Sequence, residues 1–292
     1  MNTRAAKRSG MPELHVHHRR VPHRPRTPLS RRPSAWGRAR HVARTWLSER
    51  PALYLPLARR RYPGPTPEVI GPDTELVIDG YTRAASTYLV YAFQLAQERP
   101  IRLAHHLHAP AQIIEAARRA LPTLVLVRDP DESALSQAVQ EPHVTVRDAL
   151  FAYARFHERL LPYRDSFVVA DFEEVTRDIK PAVHRLNDRF GTVFRLPDAE
   201  DEPLVTELVR LRPTDWPMIA FESGRVSRAE VLAALADPKR RPAPAADPDE
   251  WVPSERRRLA KQARRAELER PQVRAVRRRA WAAYGAMFEA AG

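Results

Sequence analysis

The chain has 292 residues, of which 43% are hydrophobic and 29% are charged, a composition that excludes a wholly disordered protein. The absence of cysteine excludes disulfide frameworks, thiolate nucleophiles and cysteine-ligated metal centres. The nine glycines have no spacing that fits a dinucleotide fingerprint or a Walker-type phosphate loop, which argues against ordinary Rossmann dehydrogenases and Walker-type NTPases.

The net charge of +13 is concentrated at the N-terminus. Residues 1–65 contain 16 Arg and Lys but only two Glu, whereas residues 66–250 carry a net charge of −8. We therefore expect a basic, Arg- and Pro-rich extension over 1–65 that is partly disordered, followed by one folded domain over 66–292. Because the extension has few aromatic residues for base stacking, we expect no specific nucleic acid partner.

Within this extension, residues 35–50 have helical spacing, with Trp36, Val42, Trp46 and Leu47 near one face. The pattern suits a helix on a membrane surface and, equally, a helix docked on the protein's own body. Residues 1–30 contain no apolar segment typical of a secretory signal, and no run reaches the ~18 apolar residues of a membrane span. We expect a soluble, cytoplasmic protein whose basic arm leaves peripheral membrane contact open.

From residue 75 onward, strand and helix patterns alternate. The predicted strands are Glu75–Tyr81, Ile101–His106, Thr123–Val127 and Ser166–Ala170, and the predicted helices are Ser86–Gln97, Ala109–Ala120, Asp131–Val139, Thr145–Leu161 and Glu173–Phe190. The alternation predicts an α/β fold in which helices flank a parallel sheet on both faces. After residue 200 only helical patterns remain, including Ser254–Glu269 and Pro271–Ala290, and they predict a helical C-terminal section.

Polar side chains follow three of the predicted strands. They are Arg83 with Ser86 and Thr87 after the first strand, His105, His106 and His108 after the second, and Arg128 with Ser136 after the third. Each group alone has an ordinary explanation, which is helix capping or a local salt bridge for the first and third groups and partial burial beside hydrogen-bond partners for the histidines. Because the carboxyl ends of parallel strands share one edge, where helix N-termini offer free N–H groups, the three groups together predict a ligand site.

These segments resemble the sulfotransferases that use 3′-phosphoadenosine 5′-phosphosulfate (PAPS). The matching stretches are GYTRAASTYL (80–89), HHLHAP (105–110) and LVLVRDPDESALS (124–136), and the spacing from Arg128 to Ser136 is the most specific match. Phe172-Glu173-Glu174 is similar to the family's acidic turn after a strand. The resemblance covers about residues 70–190 and implies the P-loop NTPase-like sulfotransferase fold.

The resemblance also implies how the cofactor is held. The first loop of the family wraps the 5′-phosphosulfate, a role that would pass to Arg83, Ala84, Ala85, Ser86 and Thr87. Arg128 and Ser136 would hold the 3′-phosphate of PAPS and of its product, 3′-phosphoadenosine 5′-phosphate (PAP). Arg256–Arg258 is the candidate segment for a further cation at that phosphate, since no C-terminal motif of the family is visible.

Catalytic roles follow from the same resemblance. His108 matches the family's His-x-Pro base, with His106 as its rival, and Arg83 would stabilise charge on the leaving nucleotide. Alternation along an extended segment would put His106 and His108 on one face and His105 on the other. The scheme needs no metal, and because the histidine cluster lacks a carboxylate at ligand spacing we expect no metal site.

Two departures from the family pattern keep an alternative function open. Thr82 replaces the usual Pro, and Ala84-Ala85 replace Ser-Gly, so Ala85 adds a Cβ where the main chain approaches a phosphate. A catalytically inactive nucleotide-binding or scaffold protein that retains the core is therefore the alternative to an enzyme. A kinase-like phosphotransferase is disfavoured, because no Gly-rich loop or Mg²⁺-binding carboxylates follow the first strand. The acceptor, by analogy only, is a hydroxyl of a glycan, a lipid or glycolipid, or a small molecule.

Overall fold

The computed structural model describes residues 35–63, 69–198, 201–211, 217–237 and 252–289. Within these ranges the strands are β1 (Leu76–Gly80), β2 (Leu103–His105), β3 (Thr123–Val127) and β4 (Val168–Asp171). The helices are α1 (Ala35–Leu47), α2 (Pro51–Arg61), α3 (Ser86–Ala96), α4 (Pro110–Arg118), α5 (Pro130–Gln140), α6 (Val146–Glu158), α7 (Phe172–Arg177), α8 (Lys180–Phe190), α9 (Glu202–Arg210), α10 (Met218–Glu222), α11 (Arg228–Ala236), α12 (Glu255–Arg264) and α13 (Pro271–Phe288).

The four strands form one parallel sheet in the order β2-β1-β3-β4. Ile78 of β1 is in register with His105 of β2, and Gly80 of β1 is in register with Leu126 of β3. The central strand β1 therefore carries the first predicted ligand loop, and its two neighbours carry the other two. The sheet order places all three loops side by side at one edge.

Helices cover both faces of the sheet, as the sequence predicts. Successive strand residues point to opposite faces, so Ile78 and Leu126 pack in a core with α3, α8 and α9, whereas Val125 and Val127 pack in a second core with α5, α6 and α13. All residues of β1 and β3 are buried. The predicted α/β fold with a two-sided parallel sheet is confirmed, as is the helical character of the described C-terminal residues.

Gly80 permits the close approach of β1 to β3. A Cβ atom at this position would lie 2.9 Å from Cβ of Leu126 and still closer to the carbonyl oxygen of the same residue. No side chain fits between the two strands here, so only glycine allows β1 to end directly beside β3.

The described part of the predicted N-terminal extension is helical and contacts the α/β body. α1 packs on α6 and α2 packs on α4. Arg155 of α6 forms an ion pair with buried Glu49 at 2.5 Å, and the carbonyl oxygen of Ser48 accepts from the main-chain N–H of Ala111 at 2.9 Å. Of the two expectations for residues 35–50, the structure thus shows docking on the protein's own body. Residues 1–34 of the predicted extension lie outside the described residues.

The predicted helix over Glu173–Phe190 is wrong in one respect, because the structure divides it into α7 and α8. Asp178 between them has an extended main chain with φ −155°, and its side chain accepts from the N–H of Lys180 at 3.0 Å. Pro181 then occupies the first turn of α8, where its missing N–H costs nothing. Similarly, the helix predicted over Ser254–Glu269 ends at Arg264 and continues as a 3₁₀ segment.

None of the helices in the described ranges combines the length and the apolar character that crossing a bilayer requires.

Candidate functional site

A cleft of about 710 Å³ lies along the edge of the sheet where the three predicted loops meet. We call it the strand-end cleft. Its lining comes from the loops after β1, β2 and β3, from the first turn of α3, from α5, α7, α9 and α12, and from residues 252–254 before α12. Eight of the nine predicted site residues line it, namely Arg83, Ala85, Ser86, Thr87, His106, His108, Arg128 and Ser136. The ninth, Ala84, is 1% exposed and belongs to the hydrophobic core instead.

The loop after β1 has an unusual main-chain conformation. Arg83 and Ala85 have positive φ values of 71° and 64°, in the left-handed region that non-glycine residues rarely adopt. Such residues turn nearby N–H groups toward one side and form concave sites for anions. Two strained residues in a five-residue loop cost roughly 1–3 kcal/mol each, and strain of this kind is concentrated at functional sites.

The N-terminus of α3 opens into the strand-end cleft. Ala85 is its N-cap residue and supplies no side-chain hydrogen bond, so the first turn has no side-chain cap. The hydroxyl oxygen of Ser86 is buried and has no hydrogen-bond partner among the described residues. The positive end of the helix dipole and an unsatisfied hydroxyl therefore meet at the same place, an arrangement that fits an anionic ligand.

Ser136 brings the first and third loops together. Nε of Arg83 donates to Oγ of Ser136 at 3.1 Å, and Nη1 of Arg128 donates to the carbonyl oxygen of Arg83 at 2.8 Å. The Arg128 guanidinium also stacks on the ring of Phe172, 3.9 Å from its centroid. Burial lowers the pKa of Arg128, against the opposing effect of nearby carboxylates, so its positive charge is partly desolvated at the cleft.

The C-terminal section adds cations to the same cluster. Nη2 of Arg257 donates to Oγ of Ser136 at 3.4 Å, and its Nη1 donates to Gln140 at 2.9 Å. Arg258 and Lys261 also line the cleft, whereas Arg256 does not. The predicted segment 256–258 therefore contributes two of its three arginines. Sequence reasoning missed Lys261, although its place one helical turn after Arg257 could have indicated it.

The two candidate base histidines both face the strand-end cleft but differ in their hydrogen bonds. Nδ1 of His108 lies 2.9 Å from the carbonyl oxygen of Gly80, and since a carbonyl only accepts, Nδ1 carries the hydrogen and the neutral ring keeps its lone pair on Nε2. Nε2 of His106 pairs with Oγ1 of Thr87 at 2.9 Å, and its Nδ1 pairs with His105. The contacts thus fix the tautomer of His108 and leave that of His106 open.

The sequence prediction placed His106 and His108 on one face because it assumed an extended segment, and that assumption is wrong. β2 ends at His105, and His106 and His108 then adopt left-handed conformations with φ values of 57° and 49°, so the segment is not extended. Both side chains still reach the cleft, while His105 is buried with its ring 4.7 Å from that of His106.

Asp79 is a site residue that the sequence analysis missed. It is fully buried at the end of β1 and accepts hydrogen bonds from the N–H groups of Gly80 at 2.9 Å and His108 at 3.2 Å, and from the amide of Gln112 at 3.0 Å. Burial raises its pKa to about 7. The signal in the sequence is a carboxylate inside the otherwise apolar strand LVIDG.

Comparisons with models of known protein families, with curated proteins and with solved structures gave no match to this chain. The strand-end cleft presents a cationic cluster around Ser136, an open helix N-terminus and an imidazole of fixed tautomer. Such a set can bind two anionic groups of one ligand and accept a proton beside one of them.

Proposed function

We propose that the protein is a PAPS-dependent sulfotransferase with a P-loop NTPase-like sulfotransferase fold, which moves the sulfuryl group of PAPS to a hydroxyl of a glycan, a lipid or a small molecule. The observation that carries this proposal is that Arg83 and Arg257 both donate to Ser136, with Arg128 bonded to the Arg83 carbonyl, in the same cleft as His108. PAPS has two anionic groups, and the arrangement offers a place for each.

The size and charge of the strand-end cleft support a dianionic nucleotide. Its volume of about 710 Å³ lies within the range of about 300–1,000 Å³ that is usual for small-molecule sites. Five cationic side chains line it against a single carboxylate, and they are Arg83, Arg128, Arg257, Arg258 and Lys261 against Glu255. The excess of positive charge favours an anionic ligand over a neutral one.

The cluster around Ser136 is suited to the 3′-phosphate. A guanidinium offers two parallel N–H donors to a phosphate, and Arg128 is held in place by its stacking on Phe172 and its bond to the Arg83 carbonyl. Ser136 and Arg257 add donors beside it. Recognition at this point would distinguish PAPS from nucleotides that lack a 3′-phosphate.

The N-terminus of α3 is suited to the phosphosulfate. The main-chain N–H groups of residues 84–87 and the hydroxyls of Ser86 and Thr87 would surround it, and the buried Ser86 hydroxyl would gain the partner that it lacks among the described residues. PAPS, when bound, supplies an activated sulfuryl group and leaves as PAP. Donors placed where charge develops are typically worth about 2.7–4 kcal/mol of barrier each.

His108 is the better base of the two histidines. Its Nδ1 is committed to the Gly80 carbonyl, so Nε2 is the atom that can take the proton lost by the acceptor hydroxyl. His106, which pairs with Thr87, would instead orient that hydroxyl at the start of α3.

The first test is calorimetry of PAP binding to the full chain. We expect micromolar binding to wild type and a loss of at least tenfold in Arg128→Ala, because the phosphate loses a charged donor pair. The matched control is Arg99→Ala, whose guanidinium pairs with Glu75 before β1 and so lies at the opposite edge of the sheet. Absence of micromolar binding to wild type would remove the cofactor from the proposal.

The second test separates an enzyme from the inactive nucleotide-binding protein that the Ala84-Ala85 loop also suggests. PAP release from PAPS is followed with a panel of hydroxyl acceptors. We expect turnover in wild type and its loss in His108→Ala with PAP affinity near normal. Binding of PAP without turnover on any acceptor favours the inactive protein, and loss of turnover only in His106→Ala reverses the assignment of the base.

Among the possible acceptors, the exposed residues of α1 and α2 favour one that is located in a membrane. Large apolar side chains are exposed along this segment, with Trp36 78% and Leu53 54% exposed, and α2 ends in three consecutive exposed arginines. Aromatic and aliphatic side chains beside arginines suit an anionic bilayer surface. Co-sedimentation with phosphatidylglycerol vesicles but not with phosphatidylcholine vesicles is expected. It should be weakened by Trp36→Ser but not by Val193→Ser, which changes a still more exposed side chain outside α1 and α2.

A further inference from the structure

Asp79 connects the first two loops of the strand-end cleft through one carboxylate. Its Oδ1 accepts from the main-chain N–H groups of Gly80 at 2.9 Å and His108 at 3.2 Å, and the same atom lies 3.5 Å from Nδ1 of the His108 ring. Gly80 also contacts the ring, because its carbonyl oxygen accepts a hydrogen bond from Nδ1 of His108. The two residues at the end of β1 therefore hold both the main chain and the ring of His108.

Gln112 fixes the other side of the carboxylate. Its Oε1 accepts from the N–H of Ile70 at 2.9 Å, so its amide nitrogen must be the group that faces Asp79, and it donates to Oδ2 at 3.0 Å. Asp79, Gln112 and Ile70 are buried, whereas the His108 ring is half-buried. The carboxylate is thus held rigidly, with its charge next to one imidazole.

A charged carboxylate in this position lowers the stability of the folded state. Asp79 is 0% exposed, and within the described residues its ion-pair contact is with His108. A neutral amide of the same shape would avoid the penalty of burying charge. A buried group that costs stability and faces a site residue is typical of function rather than of structure.

We propose that Asp79 is a positioning residue for His108, holding its main chain left-handed and its ring with Nε2 toward the cleft, and stabilising the imidazolium that forms when His108 takes a proton. The catalytic part of this inference rests on the proposed function. The part that concerns His108 itself is a property of the free protein.

Other charged and titratable groups also face His108, and the test must leave them in place. His106 has its ring centroid 5.9 Å away, and a small cavity of about 30 Å³ beside His108 is also lined by His41, Arg44, Glu49 and Tyr81. A change confined to Asp79 and Gln112 touches none of these. Any altered titration of His108 then reports the carboxylate.

The experiment exchanges the charge between the two network partners. In the double variant Asp79→Asn, Gln112→Glu, the introduced amide donates to the introduced carboxylate, which still accepts from the Ile70 N–H, so both the bonding pattern and the net charge are kept. The pKa of His108 is measured by NMR on full-length protein labelled at histidine Cε1, with the signal assigned by its loss in His108→Gln.

We expect the pKa of His108 to fall by about 1 or more in the double variant, because a carboxylate within about 4–6 Å favours the imidazolium by that amount. We also expect turnover to fall at least tenfold, with PAP affinity within twofold of wild type. A folded double variant, judged by its amide NMR spectrum, in which His108 titrates as in wild type would overturn the inference.

If the double variant does not fold, the interaction between Asp79 and His108 is tested from the other side, by titrating Asp79. The carboxyl carbon of Asp79 is titrated by NMR in wild type and in His108→Gln, where Asp79 itself is intact. We expect its pKa to rise in the variant, since the cation that favours the carboxylate is gone, and an unchanged titration overturns the inference. Failure of wild type to bind PAP would sink the sulfotransferase proposal and leave these titrations standing.

Discussion

Nε of Arg83 donates to Oγ of Ser136 at 3.1 Å and so joins two loops that lie 53 residues apart in the chain. Arg257 donates to the same oxygen from the C-terminal section. A hydroxyl oxygen that accepts from two guanidinium groups keeps its own hydrogen as a donor, and in the proposed function Ser136 donates it to the 3′-phosphate where three parts of the chain meet.

Ser136→Ala is expected to weaken PAP binding by roughly 10- to 150-fold, since hydrogen bonds to charged groups are worth about 1.5–3 kcal/mol. Binding of adenosine 5′-phosphosulfate, which lacks the 3′-phosphate, should change little. Calorimetry with both nucleotides checks this. Ser133→Ala on the same helix is the control, because that buried hydroxyl does not line the cleft. Equal losses for both nucleotides would place Ser136 elsewhere on the ligand.

Ala85→Gly is expected to stabilise the protein by about 1 kcal/mol, because Ala85 has φ 64° and glycine adopts that conformation without a steric penalty. Ala84→Gly is the matched control. Ala84 is buried and is not left-handed, so losing its methyl group should destabilise by about 1 kcal/mol. Urea unfolding measures both variants. Destabilisation by both would contradict the left-handed N-cap of α3.

Gly80→Ala is expected to destabilise by about 1–3 kcal/mol or more, because the added Cβ would clash with the main chain of Leu126 in β3. Gly285→Ala should instead stabilise by about 0.5–1 kcal/mol, since Gly285 lies within α13 and a Cβ there meets no atom within 4 Å. Thermal unfolding of the two variants compares them directly, and similar shifts would argue against the tight register of β1 and β3.

Stability should depend on pH through Asp79. Its pKa is raised from 3.8 to about 7 by burial, so the folded state binds this proton more tightly than the unfolded state, and the stabilisation present below pH 4 is lost as the pH rises through 7. A pKa difference of about 3 corresponds to at most about 4 kcal/mol. The advantage of Asp79→Asn over wild type should therefore grow between pH 4 and pH 8.

Urea unfolding at several pH values measures that difference. His157, whose pKa burial lowers to about 4, contributes the opposite trend, with stability lost as the pH falls from 6.5 to 4. It is unchanged in both proteins and cancels in the comparison. Parallel pH profiles for the variant and wild type would contradict the burial of Asp79.

Much of the sheet could be predicted from local pattern. β3 has the bounds Thr123–Val127 in both the prediction and the structure, and β1 differs by one residue at each end. Short runs of apolar, partly β-branched residues define where these strands begin and end.

α2 was not predicted. Its sequence contains Pro51 and Pro56, and the helix is stabilised by burial of Tyr54 and Leu55 in a core with residues of α4, which local pattern cannot reveal.

The site was predictable where its residues follow strands directly. Arg83 and Arg128 stand at strand ends, so a parallel sheet with short connections brings them together. Asp79 and Lys261 could not be found in this way. The role of Asp79 depends on the unusual left-handed turn of His108, and that of Lys261 depends on how a distant helix folds back onto the edge of the sheet.

Residues of the N-terminal segment contact the chain on both sides of His108. The Arg44 guanidinium donates to the carbonyl oxygen of Leu107 at 3.2 Å, and the Ser48 carbonyl accepts from Ala111. A preparation trimmed by a protease as far as residue 65 would keep Arg128 and Ser136 but lose these two contacts on either side of His108. Under the proposed function, such a product is expected to bind nucleotide but to turn over slowly, so the intact mass of each sample decides whether a low activity reflects the protein or proteolysis.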